Sequence, residues 1–302
     1  MRRRPLYGVI LVLGAAVLWG TTGTAQSFAP PGLSAYWIGA FRLLAAATFF
    51  TLWLLASDRA ALAPRALARL PWGLVAGAGL SMTAYNLAFF AGIRASSVSI
   101  GTALALGSGP VWAGLLQIAG RGGLPLHSWW LGVGIAVGGL VVALTSVAEL
   151  RTSAGGIVLC LLAGLSYAVY ARLTSALVAC VPDAIGLATG AVFTLAALFA
   201  MPAAAALAGS PGVSAGDLPV LVWLGVAATG IAYLLFAGGL RHVSSATAVA
   251  LALAEPVAAV GFALLLVGER PGGVALAGLG AVLVGLAVLV RAELARSVDG
   301  GA

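Results

Sequence analysis

Long apolar runs, each bounded by proline, glycine or a charged residue, follow one another along the whole chain. Each is long enough to cross the roughly 30 Å of hydrocarbon in a bilayer as a helix. Barrel strands do not fit, because they are about ten residues long and alternate in polarity. The pattern predicts an all-α polytopic membrane protein with ten transmembrane helices, at residues 7–27, 33–56, 71–92, 97–119, 128–148, 155–177, 183–206, 219–240, 245–267 and 273–291.

The composition supports this prediction and excludes several functions. Charged residues make up 8% of the 302 positions and hydrophobic residues 62%, whereas soluble domains are about 25% charged. All fifteen cations are arginine, so a phosphate-loop lysine, and with it ATP hydrolysis of that type, is excluded. The two cysteines have no CxxC spacing, and no His/Cys or acidic cluster occurs. We therefore expect no catalytic residues, no metal and no cofactor, and we do not interpret the chain as an enzyme.

The arginines lie at the ends of the apolar runs and form no basic patch with interleaved aromatics, so nucleic acid is not an expected partner. With the N-terminus in the cytoplasm, the inner side receives eleven arginines and the outer side three. The inner set is Arg2, Arg3, Arg4, Arg59, Arg65, Arg69, Arg121, Arg172, Arg241, Arg291 and Arg296, and the outer set is Arg94, Arg151 and Arg270. The positive-inside rule then predicts cytoplasmic N- and C-termini in a multi-pass protein of the cell inner membrane.

The chain repeats itself at an offset of 146 to 147 residues. The matches join Gly132, Gly134 and Gly139 to Gly278, Gly280 and Gly285, Pro110 to Pro256, and Phe89, Gly92 and Arg94 to Phe236, Gly239 and Arg241. This predicts two five-helix repeats, residues 1–150 and 151–302. Because five is odd, the second repeat must be inverted relative to the first. Inverted repeats are typical of transporters, which bind their substrate near the midplane between the halves.

Several short motifs carry a family resemblance. They are Leu18-Trp19-Gly20, Arg42, the Gly-Ile-Arg and Gly-Leu-Arg ends at residues 92–94 and 239–241, and Glu255-Pro256 followed by Gly268-Glu269-Arg270. With these, the chain resembles the drug/metabolite transporter superfamily, its EamA-type branch, and most of all the amino-acid exporters of the YddG kind. The resemblance implies efflux of aromatic and other neutral amino acids or related metabolites. The first half departs from the second, with Gly109-Pro110 and Gly120-Arg121-Gly122 at the corresponding places.

Two charges lie inside predicted spans. Glu255 precedes Pro256 about ten residues into the ninth span, and an intramembrane carboxylate is costly enough to indicate a function. Glu255 could hold a proton or pair with a substrate ammonium, and a structural role is an equal alternative. Proline at 256 predicts a kink and a free Ala252 carbonyl, and Pro110 predicts a kink in the fourth span. For Arg42 we favour a structural role over binding of a substrate carboxylate.

Polar and aromatic residues deep inside the spans are candidates for a substrate cavity. Tryptophan and tyrosine normally concentrate at membrane interfaces, so deep ones with a polar tip suit a pocket for a small amphipathic solute. Ordinary helix packing is the alternative for each. The candidates are Trp19, Thr22, Ser81, Tyr85, Asn86, Ser108, Trp112, Ser166, Tyr167, Tyr170 and Tyr233, together with Glu255.

The sequence therefore favours a secondary transporter that exports small metabolites, amino acids above all, by alternating access. Its partners would be a small-molecule substrate and the lipid bilayer; the oligomeric state stays open, and a monomer is compatible with the sequence. Export of a sugar, a drug or another metabolite on the same fold is an alternative, and a channel is another. An intramembrane serine protease is disfavoured, because Gly107-Ser108-Gly109 has no deep histidine near it to activate the serine.

Overall fold

The computed structural model describes residues 4–28, 32–120, 125–145, 153–268 and 270–299. Ten helices within these ranges are long and apolar enough to cross a membrane, as the hydrophobic pattern predicted. They are α1 (Pro5–Ser27), α2 (Ala35–Ser57), α3 (Trp72–Ala95), α4 (Val98–Ala119), α5 (His127–Thr145), α6 (Ala154–Cys180), α7 (Ile185–Ala208), α8 (Ala215–Gly239), α9 (Ser245–Val267) and α10 (Gly273–Asp299). The sequence motif residues Arg2, Arg3, Arg121, Gly122, Arg151 and Glu269 lie outside the described residues.

Serine side chains define where four of the helices begin. Ser34, Ser97, Ser153 and Ser244 each accept a hydrogen bond from the backbone N–H three residues on, at 3.0 to 3.4 Å. Such caps satisfy one of the backbone donors that a helix leaves unpaired at its start. A short polar residue in front of an apolar run thus sets the first residue of α2, α4, α6 and α9.

Two helices of the second half are irregular at mid-length. In α8, Val226–Ile231 form a π-helical turn, and the hydroxyl of Thr229 donates to the carbonyl of Leu224 at 2.7 Å. In α9, α-helix ends at Leu251 and starts again at Ala254, just before Pro256. Turns of this kind inside helices are frequent at functional sites.

The two prolines that the repeat equates behave differently. The α-helix of α9 is interrupted between Leu251 and Ala254, just before Pro256. The expected free carbonyl at Ala252 is wrong, because it accepts the N–H of Glu255 at 2.9 Å. The tighter bond, three residues apart, replaces the one that proline cannot donate. By contrast, α4 runs through Pro110 as one continuous helix.

Each half supplies a central helix that inserts between two others. The helix α1 packs against α8 and α9, and α6 packs against α3 and α4. On the flanks, α2 packs on α7, and α5 packs on α10 in the most extensive helix contact of the described chain. The core that results is rich in small residues, with aromatic rings concentrated between α1, α6, α7 and α8.

The contact between α5 and α10 depends on glycine. A Cβ at Gly132 would lie 3.0 Å from the carbonyl oxygen of Gly285, and a Cβ at Gly139 would lie 2.5 Å from that of Gly278. Contacts this close are available only to glycine, as at many helix crossings in membranes. The neighbouring Gly138 has nothing within 4 Å of such a Cβ, so it serves as a control on the same helix.

We expect Gly139→Ala to destabilise the protein by about 1 to 3 kcal/mol, because the added methyl group overpacks a backbone contact. Gly138→Ala places the same methyl group in open space and should leave stability unchanged or raise it by up to about 1 kcal/mol through helix propensity. Thermal unfolding of both variants in one detergent measures the difference. Equal melting temperatures would contradict the role given to the crossing.

The start of α1 is tied to the segment between α8 and α9. The backbone N–H of Arg4 donates to Nδ1 of His242 at 3.4 Å, and the Tyr7 ring meets the imidazole edge-on at 5.4 Å between centroids. Partial burial, with the charges of Arg241 and Arg4, lowers the pKa of His242. The neutral imidazole is therefore the form that the folded protein prefers, and it is also the form whose Nδ1 can accept a hydrogen bond.

The thermal stability should consequently fall as the pH is lowered below the ordinary histidine value of about 6.5. The pKa of His242 is lower in the folded protein than in the unfolded chain. Its contribution to folding stability is therefore complete at pH values above the unfolded-state pKa, and it is lost as the pH falls through the folded-state pKa. Melting temperatures between pH 8 and pH 5 test this. His242→Asn should remove part of the pH dependence, while His127→Asn, a change at the exposed start of α5, should keep it.

Candidate functional site

A cluster of aromatic rings from five helices occupies the centre of the bundle. Its members are Trp19 of α1, Tyr85 of α3, Tyr167 and Tyr170 of α6, Phe193 of α7, and Tyr233 and Phe236 of α8. We call these seven residues the aromatic cluster. All except Tyr85 are at most 8% exposed, so the rings pack on one another rather than on lipid.

Trp19 is the link between the two halves at this point. Its ring centroid lies 5.0 Å from that of Tyr233, 5.5 Å from Phe236 and 6.2 Å, edge-on, from Tyr167. Tyr85 extends the cluster from Tyr167, at 5.5 Å. These separations are in the range where aromatic pairs attract one another beyond simple burial.

The cluster contains polar tips without partners. Among the described residues, the indole N–H of Trp19 and the hydroxyl of Tyr167 are buried and have no hydrogen-bond partner, and the same holds for the N–H of Trp112, which lies outside the cluster. Burying such a group without a partner costs roughly 1 to 3 kcal/mol. An interior that leaves donors of this kind unpaired is suited to a polar solute that completes their bonds.

The two intramembrane charges approach the same cluster from different helices. Glu255 interacts electrostatically with Arg42, and both interact with Tyr85 and Tyr233. The Nε of Arg42 is buried and has no hydrogen-bond partner in the part of the chain that the structure describes. The described contacts include no direct ion pair between the two side chains. An acid and a base thus face one region without neutralising each other through a direct bond.

Close backbone packing brings the α1 motif beside the α9 motif. A Cβ at Gly20 would lie 2.7 Å from the Cβ of Ala258 and 3.0 Å from the carbonyl oxygen of Glu255. Glycine at this position therefore lets α1 lie directly against the interrupted part of α9. The neighbouring Trp19 and the Glu255 segment come together for this reason.

The structure brings some of the predicted site residues together and leaves others at helix contacts. Trp19, Tyr85, Tyr167, Tyr170 and Tyr233 share the aromatic cluster. The hydroxyls of Ser81 and Ser108 donate to carbonyls of their own helices, those of Gly77 and Ala105. Asn86 donates to the carbonyl of Met82, while its Oδ1 is buried without a partner. Thr22 and Ser166 are partly buried on α1 and α6.

Sequence reasoning missed Phe193 and Phe236 as members of the cluster. A phenylalanine inside an apolar helix has no polar atom to mark it. The only available signal was the match of Phe236 to Phe89 in the repeat. For metals, the described residues contain no group of three His, Cys, Asp or Glu side chains.

Ten apolar helices around a buried, partly unsatisfied polar and aromatic centre define a polytopic membrane protein of the transport class. The sequence profile of the EamA-like transporter family matches the chain twice, over residues 6–145 and 154–291. The chain belongs to this family of the drug/metabolite transporter superfamily, and it is a transporter.

Two individual comparisons agree with this assignment. The uncharacterized transporter YwfM of Bacillus subtilis (strain 168) is 32% identical over 286 residues, which are 94% of this chain and 93% of the relative. A protein of known crystal structure superposes with a TM-score of 0.80 over 97% of this chain and 99% of its own, at 16% identity. The second comparison shows the fold alone.

We expect Tyr167→Phe to preserve or raise folding stability, because it removes a buried hydroxyl that has no partner. If that hydroxyl binds the transported solute, the same variant should transport with an affinity reduced about fivefold to tenfold, as for one hydrogen bond. Thermal unfolding and transport assays on one preparation test both statements. A variant that is clearly less stable would contradict the assignment of an unpaired hydroxyl.

Proposed function

We propose that this protein exports small metabolites, aromatic and neutral amino acids above all, across the cell inner membrane by alternating access. The observation that supports an amino acid most directly is that Arg42 and Glu255 lie within electrostatic range of each other, with no direct ion pair between them among the described residues. A zwitterion offers a carboxylate to the guanidinium and an ammonium to the carboxylate, with its side chain against the aromatic cluster. The same pair suits a sugar or an uncharged drug less well, because each charge would stay unmatched.

The sequence alone favours a structural role for Arg42, and the structure supports a different proposal. A structural arginine in hydrocarbon is expected to bond to carbonyls or carboxylates. Arg42 instead leaves its Nε unpartnered and acts electrostatically on Tyr85 and Tyr233, two members of the aromatic cluster. In our proposal Arg42 binds the substrate carboxylate, and the nearby Glu255 moderates its charge enough for release.

The proposed halves, residues 1–150 and 151–302, are inverted repeats. In support, the family profile matches once in each half. The glycine contacts of α5 and α10 also exchange under the repeat: Gly132 and Gly139 correspond to Gly278 and Gly285, yet Gly132 meets Gly285 and Gly139 meets Gly278. This exchange of partners is expected when two equivalent antiparallel helices are related by a two-fold axis perpendicular to both helices. The packing of α6 between α3 and α4 likewise parallels that of α1 between α8 and α9.

Alternating access requires that one part stays rigid while another changes shape. The glycine-based contact of α5 with α10 is a candidate for the rigid part. The π-helical turn of α8 and the interruption of α9 lie beside the aromatic cluster and are candidates for the deformable part. The arginine distribution places both termini in the cytoplasm in this proposal.

Counterflow tests the function. Proteoliposomes preloaded with unlabelled amino acids should accumulate labelled phenylalanine saturably, whereas empty liposomes should not. Because charge-assisted hydrogen bonds contribute about 1.5 to 3 kcal/mol, Arg42→Gln and Glu255→Gln should each weaken apparent affinity roughly tenfold to a hundredfold. Asp183→Asn, at an exposed loop position, is the matched control and should transport normally.

Substrate analogues separate binding from a structural role. Wild-type protein should distinguish phenylalanine from its amide, which lacks the carboxylate, and Arg42→Gln should distinguish them much less. Unsaturable flux without a need for preloading would favour a channel. No exchange of any amino acid by folded protein would overturn the proposed substrate and direct the search to sugars and drugs.

A further inference from the structure

A cavity lies at the contact of α2 with α7, and Phe50 on its wall stacks on Phe193 of the aromatic cluster, with 6.1 Å between ring centroids. Its volume is about 160 Å³, similar to cavities of about 150 Å³ that accept a benzene-sized molecule. Its walls come from the end of α2, the start of α3, the first half of α7 and the segment between α2 and α3. The lining includes Phe50, Leu54, Leu62, Leu67, Trp72 and Leu195.

The cavity is built for an apolar occupant. The two hydroxyls on its wall, those of Thr51 and Thr194, donate to carbonyls of their own helices, Ala47 and Gly190, at 2.9 and 2.8 Å. The indole N–H of Trp72 donates to the carbonyl of Leu67 at 3.1 Å. Since these polar atoms already have partners, the cavity offers contact surface rather than hydrogen bonds, as a hydrocarbon chain requires.

The segment between α2 and α3 has an apolar side and a basic side. It consists of two short helices, Arg59–Leu62 and Pro64–Ala68. Leu62 and Leu67 line the cavity and Leu70 is 5% exposed, whereas Arg59, Arg65 and Arg69 are exposed. A segment of this kind, with a tryptophan at its end, lies in the interface of a membrane.

Two of these arginines are available for a ligand on the exposed side of the segment whose leucines line the cavity. Arg59 is engaged through its Nε with the carbonyl of Leu55, at 2.8 Å. Arg65 and Arg69 make no hydrogen bond or ion pair with the residues that the structure describes. Residues two positions apart on a helix do not face the same way, so both arginines lie on the exposed side of the segment while Leu67 lines the cavity. The acid of the segment, Asp58, is engaged in capping the N–H of Ala61.

We propose that this cavity and the two arginines form a binding site for one anionic phospholipid. One acyl chain occupies the space between α2 and α7, and the phosphate lies against Arg65 and Arg69. Charge complementarity selects an anionic headgroup over a zwitterionic one, and the apolar walls select a lipid over a free phosphate ester. The test of this site measures lipid retention, so it does not depend on the transported substrate.

Photo-crosslinking locates the lipid. The whole protein, in detergent and depleted of native lipid, is incubated with phosphatidylglycerol bearing a diazirine in one acyl chain, and the adducts are mapped by peptide mass spectrometry. Adducts concentrated in residues 62–72 and 187–195 are the expected result. Adducts spread evenly over the lipid-facing surfaces of all helices would overturn the proposal.

Native mass spectrometry then compares retained phosphatidylglycerol with phosphatidylcholine of the same acyl chains. Arg65→Gln and Arg69→Gln should each lower phosphatidylglycerol retention about fivefold, while Arg291→Gln, at an exposed arginine of α10, should not. Ala191→Leu fills the cavity and should lower retention of both lipids; Ala84→Leu, on an exposed face of α3, is its control. Thermal unfolding verifies that each variant is folded.

The results test the headgroup assignment and the acyl-chain assignment separately. Arginine variants that behave like Arg291→Gln would overturn the headgroup assignment, and retention by folded Ala191→Leu equal to that of Ala84→Leu would overturn the acyl-chain assignment. Competition by soluble glycerol phosphate as effective as that by the lipid would show a phosphate site only, and would also overturn the proposal. The arginine substitutions are at the surface, so the test stands even if Ala191→Leu does not fold.

Discussion

Inside the hydrocarbon of a bilayer a backbone N–H or carbonyl has no water to bond with, and each unpaired group costs several kcal/mol. Because of this constraint, irregular backbone occurs inside the membrane-spanning helices at only a few places in the described chain. Where α9 is interrupted, the N–H groups of Leu253 and Glu255 bond to the carbonyls of Ala250 and Ala252, so the helix changes its bonding pattern without losing bonds. In α8 the hydroxyl of Thr229 bonds to the carbonyl of Leu224 beside the π-helical turn.

The same constraint applies to side chains and explains the aromatic character of the centre. Tryptophan and tyrosine bury large rings and expose only one polar atom each, so they build a polar interior at small desolvation cost. The rings of Trp19, Tyr167 and Tyr233 satisfy one another by packing. In the proposed function, their polar tips, with Arg42 and Glu255, bind the transported solute.

Stiff and deformable contacts are distributed unequally over the bundle. The glycines of α5 and α10 place two backbones in direct contact, which leaves little freedom for either helix. The irregular helices α8 and α9 both pack against α1, and α8 contributes Tyr233 and Phe236 to the aromatic cluster.

The sequence by itself determined the class of protein, the number of helices and most of their ends. Apolar length and composition are local properties, and serine caps and prolines mark boundaries within a few residues of where they occur. The offset between the repeats and the depth of polar side chains within the spans also indicate Trp19, Tyr167, Tyr233 and Glu255 as site residues.

Tertiary structure decided which faces of these helices meet. Almost every face of a membrane helix is apolar, so periodicity does not separate lipid-facing from buried positions. Phe193 and Phe236 are therefore members of the aromatic cluster that no polar atom marks in the sequence. The hydroxyls of Ser81 and Ser108, which the sequence marks as candidates, donate instead to carbonyls of their own helices. Arg42 on α2 and Glu255 on α9, which are far apart in the chain, come within electrostatic range of each other only in the folded bundle.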